Sequence, residues 1–536
     1  MSKTILIWLS LVSFALLATA AEIKEKTGLV LCGDGAFEGY TLFTPLHSTD
    51  TYLVNMDGKV VHKWKDKYTP GQSQYLLKNG HLLRCANDSR NSGFHGGGIG
   101  GRIRELDWNG KLVWDYKYAD DKRCQHHDIE PLPNGNVLIL AWEKKLAEEV
   151  IGAGRDPSQL DGDELWPDHI VEVRRQGKTD GRIVWQWHAW DHLVQDFNPD
   201  VNNHGDVAAH PELIDINFGG DSMHLPPKEL NRLRALGYVG GPAPKGRGPE
   251  SADWLHGNSL SYNEELDQIL ISVHGFNEIW VIDHSTTTAE SASHTGGRYG
   301  KGGDLLYRWG NPQAYRAGTA ADQKLFGQHD ATWVKSPSGE THILVFNNGR
   351  NRPDGDYSSV DEIVPPLKPD GSYSLESGAA CGPSQPVWQY TPSTKSDFFS
   401  SHISGAQRLP NGNTLVCAGE QGDFFEVNAQ GATVWHYINP IEGNRPNGRP
   451  PRGDRRRSKG NDDNHDRAHP PRQGPRGPRG GRRGPGVDRR GTGVDRRGPD
   501  GVGRGPSEAN AVFRATRIAA DDPAIKSRKL SPKNSE

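Results

Sequence analysis

Cysteine is scarce: the 536 residues hold five, at Cys32, Cys85, Cys124, Cys381 and Cys417, and no two form a Cys-x-x-Cys pair. That spacing argues against a structural zinc site. Long apolar runs are also missing beyond the N-terminus, where nothing approaches the ~18 residues of a membrane-spanning helix, so a polytopic membrane protein is excluded. Net charge is small, at −4. It conceals an asymmetry, because Glu442 to Pro506 carries 18 Lys/Arg against 8 Asp/Glu, which leaves −14 on the rest of the chain. What is plentiful is turn-forming and aromatic: 65 Gly, 36 Pro and 15 Trp. The length is ample for a large core.

The N-terminus reads Lys3, an apolar run from Ile5 to Leu17, then Ala18-Thr19-Ala20. A positive residue, a short hydrophobic stretch and a small-x-small site predict a signal peptide over 1–20, cut after Ala20 or Ala21. The expected location is therefore exported, periplasmic or secreted, with no membrane span after cleavage. Export leaves room for one or two disulfides, whose pairing the spacing does not reveal.

One pattern recurs six times: apolar residues leading into aromatic-x-aromatic. Its copies are Val60–Trp64 (with His62 in the first aromatic place), Leu112–Tyr116, Ile183–Trp187, Leu305–Trp309, Val387–Tyr390 and Val434–Tyr437. Alternation at period two with β-branched and aromatic residues marks strands. A second pattern enters an apolar strand through Asn-Gly, in Leu132–Leu138 and Leu409–Leu415, with weaker copies at Leu77–Leu82 and Ser338–Leu344. Asn-Gly suggests two-residue hairpin turns. Six copies at such spacing predict an all-β fold, a six-bladed β-propeller over 27–440. A long inter-blade insertion at 198–251, including an expected helix from Pro227 to Leu236, is placed as a lid over one end of the channel. The tract 441–507 is Arg/Gly/Pro-rich and poor in large apolar residues, so it is read as a disordered insertion. Residues 508–532 then supply a closing segment, with a strand at Val512–Arg517.

Aligned on the strand entrances, His127 stands five residues before Leu132, His256 five before Ser261 and His329 five before Val334. Ser404 takes that place in the last blade, with His402 two residues upstream. Equivalent positions converge on a propeller axis, which predicts a histidine ring at one end of the channel. Phe346–Arg352 follows a strand directly and brings Arg350 and Arg352 toward the same opening. Imidazoles beside a guanidinium suit an anionic tetrahedral group. His62 and His436 are read as structural, and His204, His210 and His224 are not placed.

At these residues the sequence resembles the arylsulfate sulfotransferase family, exported bacterial enzymes that need no nucleotide sulfate donor. The motifs are DWLHGNS (253–259), GQHDATW (327–333), FNNGRNR (346–352), SGAQRLPNGNTLV (404–416) and WQWHAWDHLVQD (185–196). The resemblance implies a six-bladed propeller and ping-pong transfer of a sulfuryl group from a phenolic sulfate ester to a phenolic or other hydroxyl acceptor through a sulfohistidine. It implies small-molecule partners, no cofactor, no metal and no nucleic acid; oligomeric state is left unknown. Position by position, His256 and His329 match the donor-binding histidines, Arg352 the sulfate-binding arginine and His402 the nucleophile. Asn347 replaces an aspartate of the family pattern. The expected roles are attack by His402, sulfate binding by Arg352, Arg350 and His256, and protonation of the phenolate by His329, with His127 and Asn258 lining the site. Two other readings stay open: a metal-dependent hydrolase or lyase using the histidines with Asp128 and Asp330, and a non-catalytic envelope propeller.

Overall fold

The computed structural model describes residues 27–88, 93–160, 162–219, 252–443 and 510–532. The expected signal peptide, the expected helix from Pro227 to Leu236 and residues 444–507 of the Arg/Gly/Pro-rich tract lie outside the described residues. Among those described, six antiparallel sheets, five of four strands and one of five, form the blades of a propeller.

Listed from the axis outward, blade 1 is Val512–Ala519, Gly39–Pro45, Asp50–Val54 and Val60–Lys65, and blade 2 is Pro70–Leu76, Leu82–Asn87, Gly101–Leu106 and Leu112–Lys117. Blade 3 is Arg123–Pro131, Val137–Glu143, Asp168–Gln176 and Asp180–His188; blade 4 is Gly257–Asn263, Gln268–Val273, Glu278–Asp283 and Tyr307–Trp309. Blade 5 is His329–Lys335, Thr341–Asn347, Ser359–Ile363 and Trp388–Tyr390, and blade 6 is Gly405–Arg408, Thr414–Ala418, Asp423–Val427 and Thr433–Ile438. Each innermost strand touches the innermost strands of the blades on either side, which closes the circle.

The aromatic repeat has a physical explanation. All six copies fall on the fourth strand of a blade, and five of their tryptophans hook the following blade. The indole N–H groups of Trp64, Trp114, Trp187, Trp309 and Trp435 donate to carbonyls of Asp107, Asp180, Gly303, Pro383 and Met56. Four acceptors lie between the third and fourth strands of the next blade, and Asp180 is the first residue of a fourth strand. A large apolar body with one polar tip seals the seam and satisfies its own donor.

The Asn-Gly turns differ from expectation. Gly135 N bonds to Leu132 O, and Leu132 N to Asn136 O. Only the glycine has positive φ, at 83°. Pro133 and Asn134 form the centre of the turn, and the glycine follows as a bulge, because the Asn134 side chain caps Asn136 N at 2.9 Å instead of entering the left-handed region. The Leu409–Asn413 turn repeats these backbone bonds.

Both ends of the chain take part in closure. Val512–Ala519 pairs along Gly39–Pro45 as the innermost strand of blade 1. Gly28–Cys32 adds a fifth strand outside blade 6, with Gly28 opposite Ile438 and Cys32 opposite Trp435. This second closure was not anticipated from the sequence. No disulfide joins any of the five cysteines.

Candidate active site

The innermost strands enter the channel through irregular backbone. Pairing with the second strand skips in blades 2 to 5. His127 (φ 49°), His256 (φ 49°), Asp330 (φ 55°) and Ser404 (φ 91°) sit in the left-handed region that side chains usually avoid. Such bulges re-aim side chains. Here they accompany a contiguous run of imidazoles: His127 to His256 (ring centroids 4.6 Å), His256 to His274 (5.1 Å) and His274 to His329 (5.6 Å). Phe513 of the closing strand packs against His127 and His329. Gly98 lies against His127, with the ring 2.1 Å from where a Cβ would stand, so this close approach requires glycine.

The hydrogen bonds fix how these rings present themselves. His329 Nδ1–H donates to Asn348 Oδ1 at 2.8 Å and to Gly327 O at 3.1 Å. His256 Nδ1–H donates to Asp253 at 2.6 Å, whose other oxygen accepts from Trp142. Asp168 accepts from His126 Nε2, so His126 Nδ1 accepts from His127 Nδ1–H at 2.8 Å. The Ser401 hydroxyl donates to Glu420 and thereby accepts from His402 Nδ1–H at 3.1 Å. In the neutral ring each arrangement leaves Nε2 as the lone-pair atom. That of His329 is buried and makes no hydrogen bond among the described residues.

Burial, then repulsion from neighbouring imidazoles, pushes His127 and His274 well below the usual histidine range. Burial drives His329 down to about 3 against the pull of Asn348. Arg350 and His402 add to the downward push on His274, which places both within electrostatic reach of the ring cluster. The site thus holds neutral imidazoles, with a cation at its edge.

Arg352 is pinned on the same turn as Arg350: it donates to Tyr357 O at 3.1 Å and Ser359 Oγ at 2.8 Å, and lies over the Phe326 and Tyr357 rings. Asn258 is fully buried and donates to Gln328 O, tying blade 4 to blade 5.

Three elements escape a reading of inner-strand registers. His274 follows the second strand of blade 4. Asn348, within the FNNG motif, holds His329. Arg514, on the closing strand, pairs with Asp128 at 3.0 Å and Asp330 at 2.9 Å. Those carboxylates also accept Leu260 N and Ala406 N, so one guanidinium joins strands from several blades. Burial lifts Asp330 to about 6, and Asp128 adds to the lift, against the pull of Arg514. Arg514 and Asp330 also line a cavity of about 280 Å³ to which all six inner strands contribute.

Phe218, in the described part of the 198–251 insertion, packs against Phe276, two residues beyond His274. That insertion therefore reaches the turn that carries His274.

A family model described as Arylsulfotransferase (ASST) matches residues 40–444. The chain belongs to the arylsulfotransferase family. The matched span contains every histidine of the cluster and both arginines of the FNNGRNR turn, while Phe513 and Arg514 of this arylsulfotransferase-family chain lie outside it. No curated protein matches the chain significantly. Among solved structures, a protein of unknown function from Bacteroides caccae is similar at 10% identity and a TM-score of 0.37, covering 75% of this chain and 94% of its own. An inactive virginiamycin B lyase from Staphylococcus aureus with quinupristin is similar at 10% identity and a TM-score of 0.34, covering 78% and 90%. A putative 6-phosphogluconolactonase from Bacteroides fragilis is similar at 12% identity and a TM-score of 0.31, covering 74% and 93%. These scores are too low to bear on site or activity.

Proposed function

We propose that the protein is an exported aryl sulfotransferase that moves a sulfuryl group from a phenolic sulfate ester to a phenolic or other hydroxyl acceptor through a sulfohistidine. The observation that carries this reading, in a chain of this family, is the cluster of buried imidazoles, four of them held at Nδ1 with Nε2 left as the lone-pair atom. The apolar segment Ile5–Leu17 supports export.

His402 Nε2 attacks sulfur; an N–S bond forms as the S–O bond to the aryl group breaks, and the electron pair leaves on the phenolate oxygen. Glu420, reached through Ser401, orients His402 and stabilises the positive charge that develops on its ring. Arg350 and Arg352 supply cationic charge toward the sulfate oxygens. His256, which takes up a proton at Nε2 as the anionic donor binds and is backed by the Asp253 carboxylate at 2.6 Å, delivers that proton to the phenolate, because His329 at about 3 holds a proton poorly. In the second half-reaction the acceptor hydroxyl gives its proton to His256, attacks the sulfohistidine and restores His402.

Incubation with a chromogenic aryl sulfate, with and without a phenol, tests the reading. Acceptor-dependent turnover and a sulfuryl adduct on His402 are expected, and His402→Ala should lose both. An adduct on His256 or His329 would move the nucleophile; metal-dependent hydrolysis without an adduct would discard the mechanism.

A further inference from the structure

Away from the channel, the WQWHAWDHLVQD motif contains a second histidine, His192, that the transfer chemistry does not use. His192 is fully buried, stacks on Trp187 and donates from Nε2–H to Ser291 O at 2.9 Å. Its Nδ1 then carries the lone pair, yet it faces Asp304 Oδ1 at 2.8 Å. His294 Nδ1 reaches the same oxygen, also at 2.8 Å. A lone pair against a carboxylate oxygen is repulsive unless a cation lies between them, either a second proton on the ring or a metal ion.

We propose that His192, His294 and Asp304 bind a divalent transition metal ion, zinc by ligand type. Their donor atoms all lie within 4.8 Å of one another, and no other group of three such residues meets that spacing among those described. Ligands at zinc distance and tetrahedral angle stand about 3.4 Å apart, so each histidine must draw back from the Asp304 oxygen by only about half an ångström. His294 can supply that movement because its side chain is 60% exposed. The bond from His192 Nε2–H to a backbone carbonyl is the outer contact that typically orients a metal-bound imidazole. Gly303 makes room for it, since a Cβ there would stand 2.5 Å from His192 Nε2. Three protein ligands leave a tetrahedral ion one further position, and His294 also lines a cavity of about 480 Å³ with His204, His210 and Trp190. The ion would pin the excursion between the third and fourth strands of blade 4 to the segment that follows blade 3.

The test is titration of the chelator-treated full-length protein with zinc and with cobalt(II). One equivalent should bind, cobalt should give visible d–d bands, and melting temperature should rise. His294→Ala, at an exposed position compatible with folding, should weaken binding at least about tenfold. Asp304→Asn should do the same, whereas His256→Ala in the channel should bind as the parent does. No tight binding by the parent, or binding unchanged in His294→Ala, would overturn the proposal and leave a doubly protonated His192 as the cation.

Discussion

Asn348 turns its amide oxygen onto Nδ1 of His329, 2.8 Å away, because its amide nitrogen is held by two carbonyls, Ser400 O at 2.7 Å and Ile403 O at 2.9 Å. A flipped amide would face those carbonyls with an acceptor, so the orientation is fixed and with it the tautomer of His329. Asn348→Ala should therefore lower turnover of an aryl sulfate by about 10²-fold, with KM little changed. Steady-state kinetics beside a thermal melt checks this; near-parental turnover in a folded variant would show that the orientation and tautomer of His329 do not bear on the reaction.

Neutral buried imidazoles make acid a specific hazard. His329 and His169 are pushed by burial to about 3, and His127 and His274 are also depressed. The unfolded chain binds these protons near pH 6.5 and the folded chain does not, so each ring's contribution is intact above that value and is lost as pH falls toward 3, at about 1.4 kcal/mol per pH unit. Glu130, raised to about 8, and Asp330, raised to about 6, act in the opposite sense, and the four rings outweigh them below 6.5. Urea unfolding should show at least about 2 kcal/mol less stability at about pH 5 than at about pH 7. A flat profile would mean that the rings charge without unfolding.

The same rings should take up protons when the substrate arrives. An anionic sulfate among lone-pair nitrogens is repelled until a ring is protonated, and its negative charge raises the histidine affinity for that proton. Binding of a phenyl sulfate to His402→Ala, measured calorimetrically near pH 7 in buffers of different ionisation enthalpy, should show net proton uptake. Equal heats in all buffers would assign the neutralising charge to the arginines alone.

How much of this was legible beforehand follows from sequence distance. The blades were readable because all six outer strands repeat the aromatic pattern, and in five of them its tryptophan hooks the next blade. The histidine positions were readable because entry into an inner strand is a local event. Partners were not: Asp168 serves His127 through His126 across the width of a blade, and Arg514 joins Asp128 from the other end of the chain. His274 follows a second strand, where no inner-strand register points to it. Gly28–Cys32 is a short edge strand whose place depends on Thr433–Ile438.

Arg514 holds two buried carboxylates, so its removal leaves both uncompensated. Arg514→Met should cost about 3–5 kcal/mol, and adding Asp330→Asn should recover part of the loss. Additive effects of the two changes in denaturant melts would show that the ion pair is not a coupled unit.

The basic tract is the last feature open to a direct test. Asn439 donates to Asn510 O at 2.9 Å, and Asn510 donates back to Asn439 O at 2.6 Å. The chain therefore leaves blade 6 and re-enters the closing strand at points already fastened to each other, so the span between them need not set their separation. Joining residue 443 to residue 510 through a few Gly/Ser residues should preserve the fold and aryl sulfate turnover, because loop-closure entropy changes slowly with length and a shorter loop lowers it. The deletion, of residues 444–509, takes out 18 Lys/Arg and 8 Asp/Glu, a net +10, and makes the protein strongly acidic. Turnover that stays near the parental value in this variant is the expected result, and a large loss would place the tract's arginines in substrate capture.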